Sequence, residues 1–220
     1  MSLGNMRSRI ADELHRSDLT TEIERQIRTA IEHYESTRFR WNEVRGWAVA
    51  TTVAGTQNYS LTSDFIRFDV LKINYNGHYI LLTPRTWQWM EERDTQVTPV
   101  RGAPSNYVVY GGSADNELRL FPTPDGAHSL VASYVQRLSS LTASADTNDW
   151  MTYGEELIRH RARAAVEIFR LQKPRAIAEF NAMAQGRRFF LSAAEEVAHK
   201  SLIDERNDAL TTGSLKPYAI

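Results

Sequence analysis

The spacing of apolar residues changes period twice along this chain, and that change constrains the fold more than any single motif. In the first 45 residues, and again from about residue 150, apolar side chains recur every third or fourth position, as one face of a helix requires. Between Trp47 and Leu138 they alternate, as a half-buried strand requires. Turn formers punctuate the alternating stretch at Gly55, Asn76-Gly77, Gly111-Gly112 and Pro124-Asp125-Gly126. The chain therefore reads as α+β: a helical bundle of N- and C-terminal helices, an inserted antiparallel β-domain, and an extended C-terminal tail. The expected segments are 1–45 (N-terminal helices), 46–149 (β-domain), 150–209 (long C-terminal helices) and 210–220 (flexible tail).

Two hairpins are expected in the β-domain. In "VLKINYNGHYILL", Asn76-Gly77 is the pair best able to take positive φ at both corners of a type I′ turn. In "LRLFPTPDGAHSLVASYV", Leu118 to Val135, Pro124 sets the first corner, Asp125 bonds the following backbone and Gly126 accepts positive φ. Leu118 and Leu120 alternate there with Arg119, and Leu130, Ala132 and Tyr134 with Val131 and Ser133. "TPRTWQWMEERD" predicts a short helix with Thr83 as cap and Pro84 at its first position.

Outside the β-domain, Asn5 is expected to cap a helix carrying Met6, Ile10 and Leu14, broken at Ser17-Asp18. Thr21 and Glu24 have capping-box spacing before Ile23, Ile27, Ile31 and Tyr34. Thr152 and Glu155 do the same before Leu157, Ala164, Ala165, Ile168 and Leu171, and Pro174 ends or kinks that helix. A single helix from Arg175 to about Asn207 would then carry Ile177, Phe180, Ala184, Leu191, Ala194, Ala198 and Leu202. Such a rod, roughly 50 Å long at 1.5 Å per residue, exceeds what the domain needs, so part of it should meet another chain.

Composition excludes several function classes. With 220 residues, 42% hydrophobic and 24% charged, the chain has the makings of a globular core. A net charge of −1 argues against dedicated nucleic-acid binding, which needs an excess of Lys and Arg on one face. The absence of cysteine removes disulfides, thiolate metal sites and thiol nucleophiles, and fits a reducing place of folding. There is no signal-peptide core and no apolar run near the roughly 20 residues a membrane span needs.

No catalytic, cofactor-binding or metal-ligating residue is expected. Gly111-Gly112 is followed by Ser-Ala-Asp rather than by a phosphate-loop Lys, and no Gly-x-Ser-x-Gly elbow occurs. His15, His33, His160 and His199 fall in helices among charged neighbours, and His78 and His128 at or near turns; all read as solvated surface. Glu155-Glu156 and Glu195-Glu196 are sequence neighbours, about 100° apart on a helix, and read as surface charge, Glu155 also as a cap.

Three features point to contacts instead. In "IRHRARAAVEIFR", Arg159, Arg163 and Arg170 share roughly one helical side, suited to inter-subunit ion pairs or a polyanion, or else to a solvated face balanced by Glu155, Glu156 and Glu167. Trp41, Trp47, Trp87, Trp89 and Trp150, with Phe39 and Phe65, are expected as core where the helical and β segments join; Trp87 and Trp89 cannot both face one core, so one is expected exposed. The final "TTGSLKPYAI" has no helical period yet carries Leu215, Pro217, Tyr218, Ala219 and Ile220, as a docking segment or a stray apolar end would.

The words "YSLTSDFIRFDVLKINYNGHYILLTPRTWQWME", "LRLFPTPDGAHSLVASYVQRLSSL" and "DWMTYGEELIRHRARA" together resemble the head-to-tail adaptor (connector) proteins of short-tailed bacteriophages and prophages, from about Met6 to Ala209. In that family a Tyr-x-Leu-x-x-Asp-Phe segment opens the β-insert and a Leu-x-Leu-x-Pro-x-Pro turn recurs later. Thr62 stands where the family's Leu-Pro-x-Asp-Phe opening has Pro. The resemblance implies a structural, non-enzymatic protein of the virion, present in the bacterial cytoplasm during assembly. It would form a homo-oligomeric ring, twelvefold, below the portal protein, extend the channel through which DNA passes, and anchor tail proteins. It implies no cofactor and no membrane partner. Two other readings stay open: a tail-associated cell-wall hydrolase with an acidic pair drawn from separate segments, and a DNA-contacting module using the Arg159 to Arg170 face.

Overall fold

The computed structural model describes residues 1–94, 99–111, 116–185 and 190–211. Its helices are α1 (Leu3–Leu14), α2 (Thr20–Tyr34), α3 (Trp87–Arg93), α4 (Asp149–Thr152), α5 (Glu155–Ala165), α6 (Pro174–Gln185) and α7 (Ala193–Thr211). Its strands are β1 (Glu43–Thr51), β2 (Asn58–Ser60), β3 (Phe65–Tyr75), β4 (His78–Leu81), β5 (Thr83–Pro84), β6 (Arg101–Gly102), β7 (Asn106–Gly111), β8 (Asn116–Phe121), β9 (Thr123–Pro124) and β10 (Ser129–Gln136). The chain divides into two units, one of Met1–Asn42 with the described residues from Leu138 onward, the other of Glu43–Arg137. The α+β class with an inserted β-domain holds.

The helical unit is built on the expected stripes. Met6, Ile10 and Leu14 of α1 meet Ile23, Ile27, Ile31 and Tyr34 of α2 and Leu157, Ile158 and Ala162 of α5, all buried. Each large aliphatic side chain fully withdrawn from water contributes about 1.5–3 kcal/mol before entropy is subtracted. Phe39 stacks on Trp41 at 4.9 Å, and Trp150 stands edge-on to both at 5.5 and 5.6 Å. Trp47 and Phe65 instead pack with Tyr134 inside the β-unit. Phe39, Trp41 and Trp150 thus belong with one core and Trp47 and Phe65 with the other, rather than all forming one cluster.

The helix starts differ from expectation. Ser2, not Asn5, caps α1, its side chain accepting from the Asn5 N–H, and Leu3 is buried. The box spacings at Thr21 and Thr152 are not used: Leu19 and Gly154 occupy the cap positions of α2 and α5 without side-chain bonds, and Asn148 caps α4. Residues after Arg137 join the helical unit. Leu141 is buried there, the Leu3 and Gly4 N–H groups donate to the Asp146 and Ser144 carbonyls at 2.9 and 2.8 Å, and a Cβ on Gly4 would lie 2.9 Å from that Ser144 oxygen. The division falls at 42/43, where β1 begins, and at 137/138, one residue past the end of β10, against the expected 45/46 and 149/150.

Past α5 the helix continues as a π-helical turn, Val166–Arg170, and Pro174 begins α6. The expected single rod from Arg175 is two helices, because Phe190, Leu191 and Ser192 are not helical. Ser192 accepts from the Glu195 N–H at 3.2 Å and starts α7 afresh.

In the β-unit one sheet has the order β1-β10-β3-β4 and a second β2-β8-β7-β5; β6 and β9 form a short pair. Leu71 and Ile73 of β3, Leu118 and Leu120 of β8, and Leu130, Ala132 and Tyr134 of β10 share one core. The Asn76-Gly77 hairpin forms as expected, with φ of 51° and 81° and Tyr75 opposite His78. The segment Leu118 to Val135 is not a hairpin: β8 pairs with β2 and β7, β10 with β1 and β3. Two strands facing one core from opposite sheets alternate just as two hairpin strands do, so period could not separate them. Thr83 and Pro84 lie on β5, parallel to β7, and Thr86 caps α3 instead. The β6–β9 pair is parallel too, so the β-unit is antiparallel only in its main ladders.

Candidate assembly interface

Titratable groups converge most tightly at the start of α7. Ser192 and Glu195 have capping spacing, and the Glu195 carboxylate turns back to accept the Leu191 N–H at 2.6 Å. The same carboxylate, fully buried, accepts from the Arg161 guanidinium of α5 at 2.7 Å and from the Tyr34 hydroxyl of α2. His199 stacks on Tyr34 at 5.7 Å, and His33 meets it edge-on. Burial, with the bond to Glu195, pushes the Tyr34 hydroxyl well above its ordinary range, and burial pushes His33 and His199 down. With donors from α2, from α5 and from the residue before its own cap, this carboxylate pins α7 to α2 and α5. Glu195 is therefore not the solvated surface group expected from the sequence, and His199 is half-buried, whereas His33 lies exposed as expected. The Ser192-x-x-Glu195 spacing was the available signal.

The expected arginine face is largely internal. Arg159 is buried and bonds Glu13 of α1 at 2.7 Å, with Glu156 at 3.6 Å. Arg163 reaches the same Glu13 at 3.3 Å and Glu167 at 3.6 Å. Glu155 pairs with Arg9. Only Arg170 of the three is exposed, so the structure does not bring them together on one outer surface. Between α1 and α2 lies a shallow concavity lined by Arg7, Arg25, Arg28 and Glu24, but Glu22 and Glu24 already pair with these arginines. Among the described residues no group of His, Asp and Glu has the arrangement to hold a metal ion, and no helix is long and apolar enough to cross a membrane.

Exposed apolar side chains occur on both units, with Tyr153, Phe169 and Val197 on the helical one and a consecutive run on the β-unit. Tyr79, Ile80 and Leu81 of β4 are 61%, 38% and 62% exposed. On α3, Trp87 is exposed as expected of one of the pair, beneath the Arg119 guanidinium at 5.0 Å. Trp89 is half-buried between Arg85 and Arg93, at 5.0 and 4.3 Å. Each such contact contributes about 0.5–1 kcal/mol near the surface. The tail residues Leu215, Pro217, Tyr218, Ala219 and Ile220 lie outside the described residues.

No curated protein matches the chain. The family model described as SU10 adaptor protein matches residues 1–213.

Proposed function

As a member of the SU10 adaptor protein family, the chain is a phage adaptor-type structural protein, and we propose that it is the head-to-tail adaptor of its virion. In this reading it is a non-catalytic subunit of a twelvefold ring that binds under the portal protein, continues the DNA channel and anchors tail proteins after assembly in the bacterial cytoplasm. The observation that carries the reading is the extent of the family match, which takes in both units. Ring closure needs two different patches on each subunit, and a chain with a helical and a β unit offers surfaces of two kinds. A net charge of −1 suits a wall that DNA passes without being gripped. Leu215, Pro217, Tyr218, Ala219 and Ile220 are assigned to docking on a neighbouring protein, with Arg170 at the surface for contacts around the ring.

Electron microscopy of the purified protein mixed with its cognate portal tests the proposal. The expected image is a ring of added density at one end of the portal. Portal particles that stay bare at saturating protein would overturn it, as would cell-wall turnover that one Asp, Glu, His or Ser substitution abolishes.

A further inference from the structure

Of the sheet edges in the β-unit, one differs from the rest. β1 is interrupted by register shifts between Val44 and Trp47 and between Ala48 and Ala50, with Gly46 at φ 67°. β2 is three residues long, β5 is two and ends in Pro84, and β6 and β9 are two each. Bulges, brevity and proline are the devices that stop a foreign strand from pairing. β4, four residues long, has neither bulge nor proline. Its four pairs with β3 run without a shift from Tyr75–His78 to Lys72–Leu81, it holds neither Pro nor a formally charged residue, and all four residues are exposed.

The direction of its backbone groups follows from the ladder. The Leu82 N–H donates to the Leu71 carbonyl at 2.9 Å, so by alternation His78 and Ile80 also turn their groups toward β3, while those of Tyr79 and Leu81 point out. Such a short edge buries far less than the roughly 1,200 Å² that a freestanding homodimer needs, so its occupant must be held nearby by something else.

We infer that β4 is the receptor edge for residues 212–220 of a neighbouring copy, which add to it as a strand. The inference rests on the self-assembly proposed above. From Thr211, the last described residue of α7, nine residues reach at most ~30 Å. Lys216 is their only charged side chain, matching an uncharged edge, and Leu215, Tyr218 and Ile220 supply apolar partners for Tyr79, Ile80 and Leu81. In such a pairing Pro217 would cost least at a position whose missing N–H is on the side away from β4, and there it would weaken addition of a further strand.

Hydrogen exchange on the chain lacking residues 212–220, with a synthetic peptide of those residues at millimolar concentration as the probe, tests this. The Tyr79 and Leu81 amides should exchange about tenfold more slowly at saturation. Leu81→Pro, which removes one outward N–H but no β3–β4 bond, should abolish the effect; Tyr79→Lys serves if that variant does not fold. Unchanged rates, protection mapping elsewhere, or β4 protection in the full chain that persists on dilution would each overturn the inference. Peptide protection of β4 with no ring on the portal would instead leave the edge assignment intact and remove the ring.

Discussion

Gly77 sits at φ 81° with nothing within 4 Å of where a Cβ would stand. A substitution there therefore reports backbone conformation alone, free of steric contact. Gly77→Val should cost roughly 1–3 kcal/mol, read as a lower melting temperature; an unchanged one would refute the turn assignment. Glu195 tests the opposite case, a residue defined by its partners. Glu195→Ala removes the acceptor shared by the Leu191 N–H, the Arg161 guanidinium and the buried Tyr34 hydroxyl, and should cost about 3–5 kcal/mol in urea unfolding. Beside that node, desolvation lowers the pKa of His33 and His199 below the ordinary histidine value. A folded-state pKa below the unfolded one stabilises fully above about pH 6.5, and that contribution is lost as pH falls below it. Melting temperature should thus decline between about pH 6.5 and 5, and less steeply in a His33→Phe, His199→Phe double variant. Asn76-Gly77 was legible because turn chemistry is local. The Glu195 node was not, since its donors come from residues 34 and 161 and only the fold brings them there.

At the scale of elements, α7 is a helix restarted rather than continued. Ser192→Ala removes its cap and should cost about 1 kcal/mol, seen as faster exchange of α7 amides with β-unit amides unaffected. Equal exchange in the parent chain and the variant would show that packing of Ala198, Leu202 and Ile203 alone holds the helix. Apolar period identified the stripes of α1, α2 and α5 because burial acts on faces, and faces are periodic. It was silent on where helices stop and which strands pair. Caps at Ser2 and Asn148 depend on local backbone geometry that several nearby Ser, Thr and Asn residues fit equally well. The partition of β8 and β10 into different sheets depends on contacts between residues far apart in sequence.

For the whole molecule, the sharpest expectation concerns residues 214–220. Their apolar side chains would each contribute about 1.5–3 kcal/mol on burial, less the cost of ordering the segment, and only in an assembly. Deleting them should leave the melting temperature of the free chain nearly unchanged and weaken ring formation or portal attachment about tenfold, measured by binding titration. A large loss of monomer stability would place the segment on its own subunit. One feature bears on how such a molecule changes over time. Glu43 and Val135 face each other across the first rung between β1 and β10, so the β-unit leaves and rejoins the helical unit through adjacent strands. A segment whose two ends lie on neighbouring strands behaves as a cassette: it can be enlarged, trimmed or exchanged for another without lengthening the path between its ends.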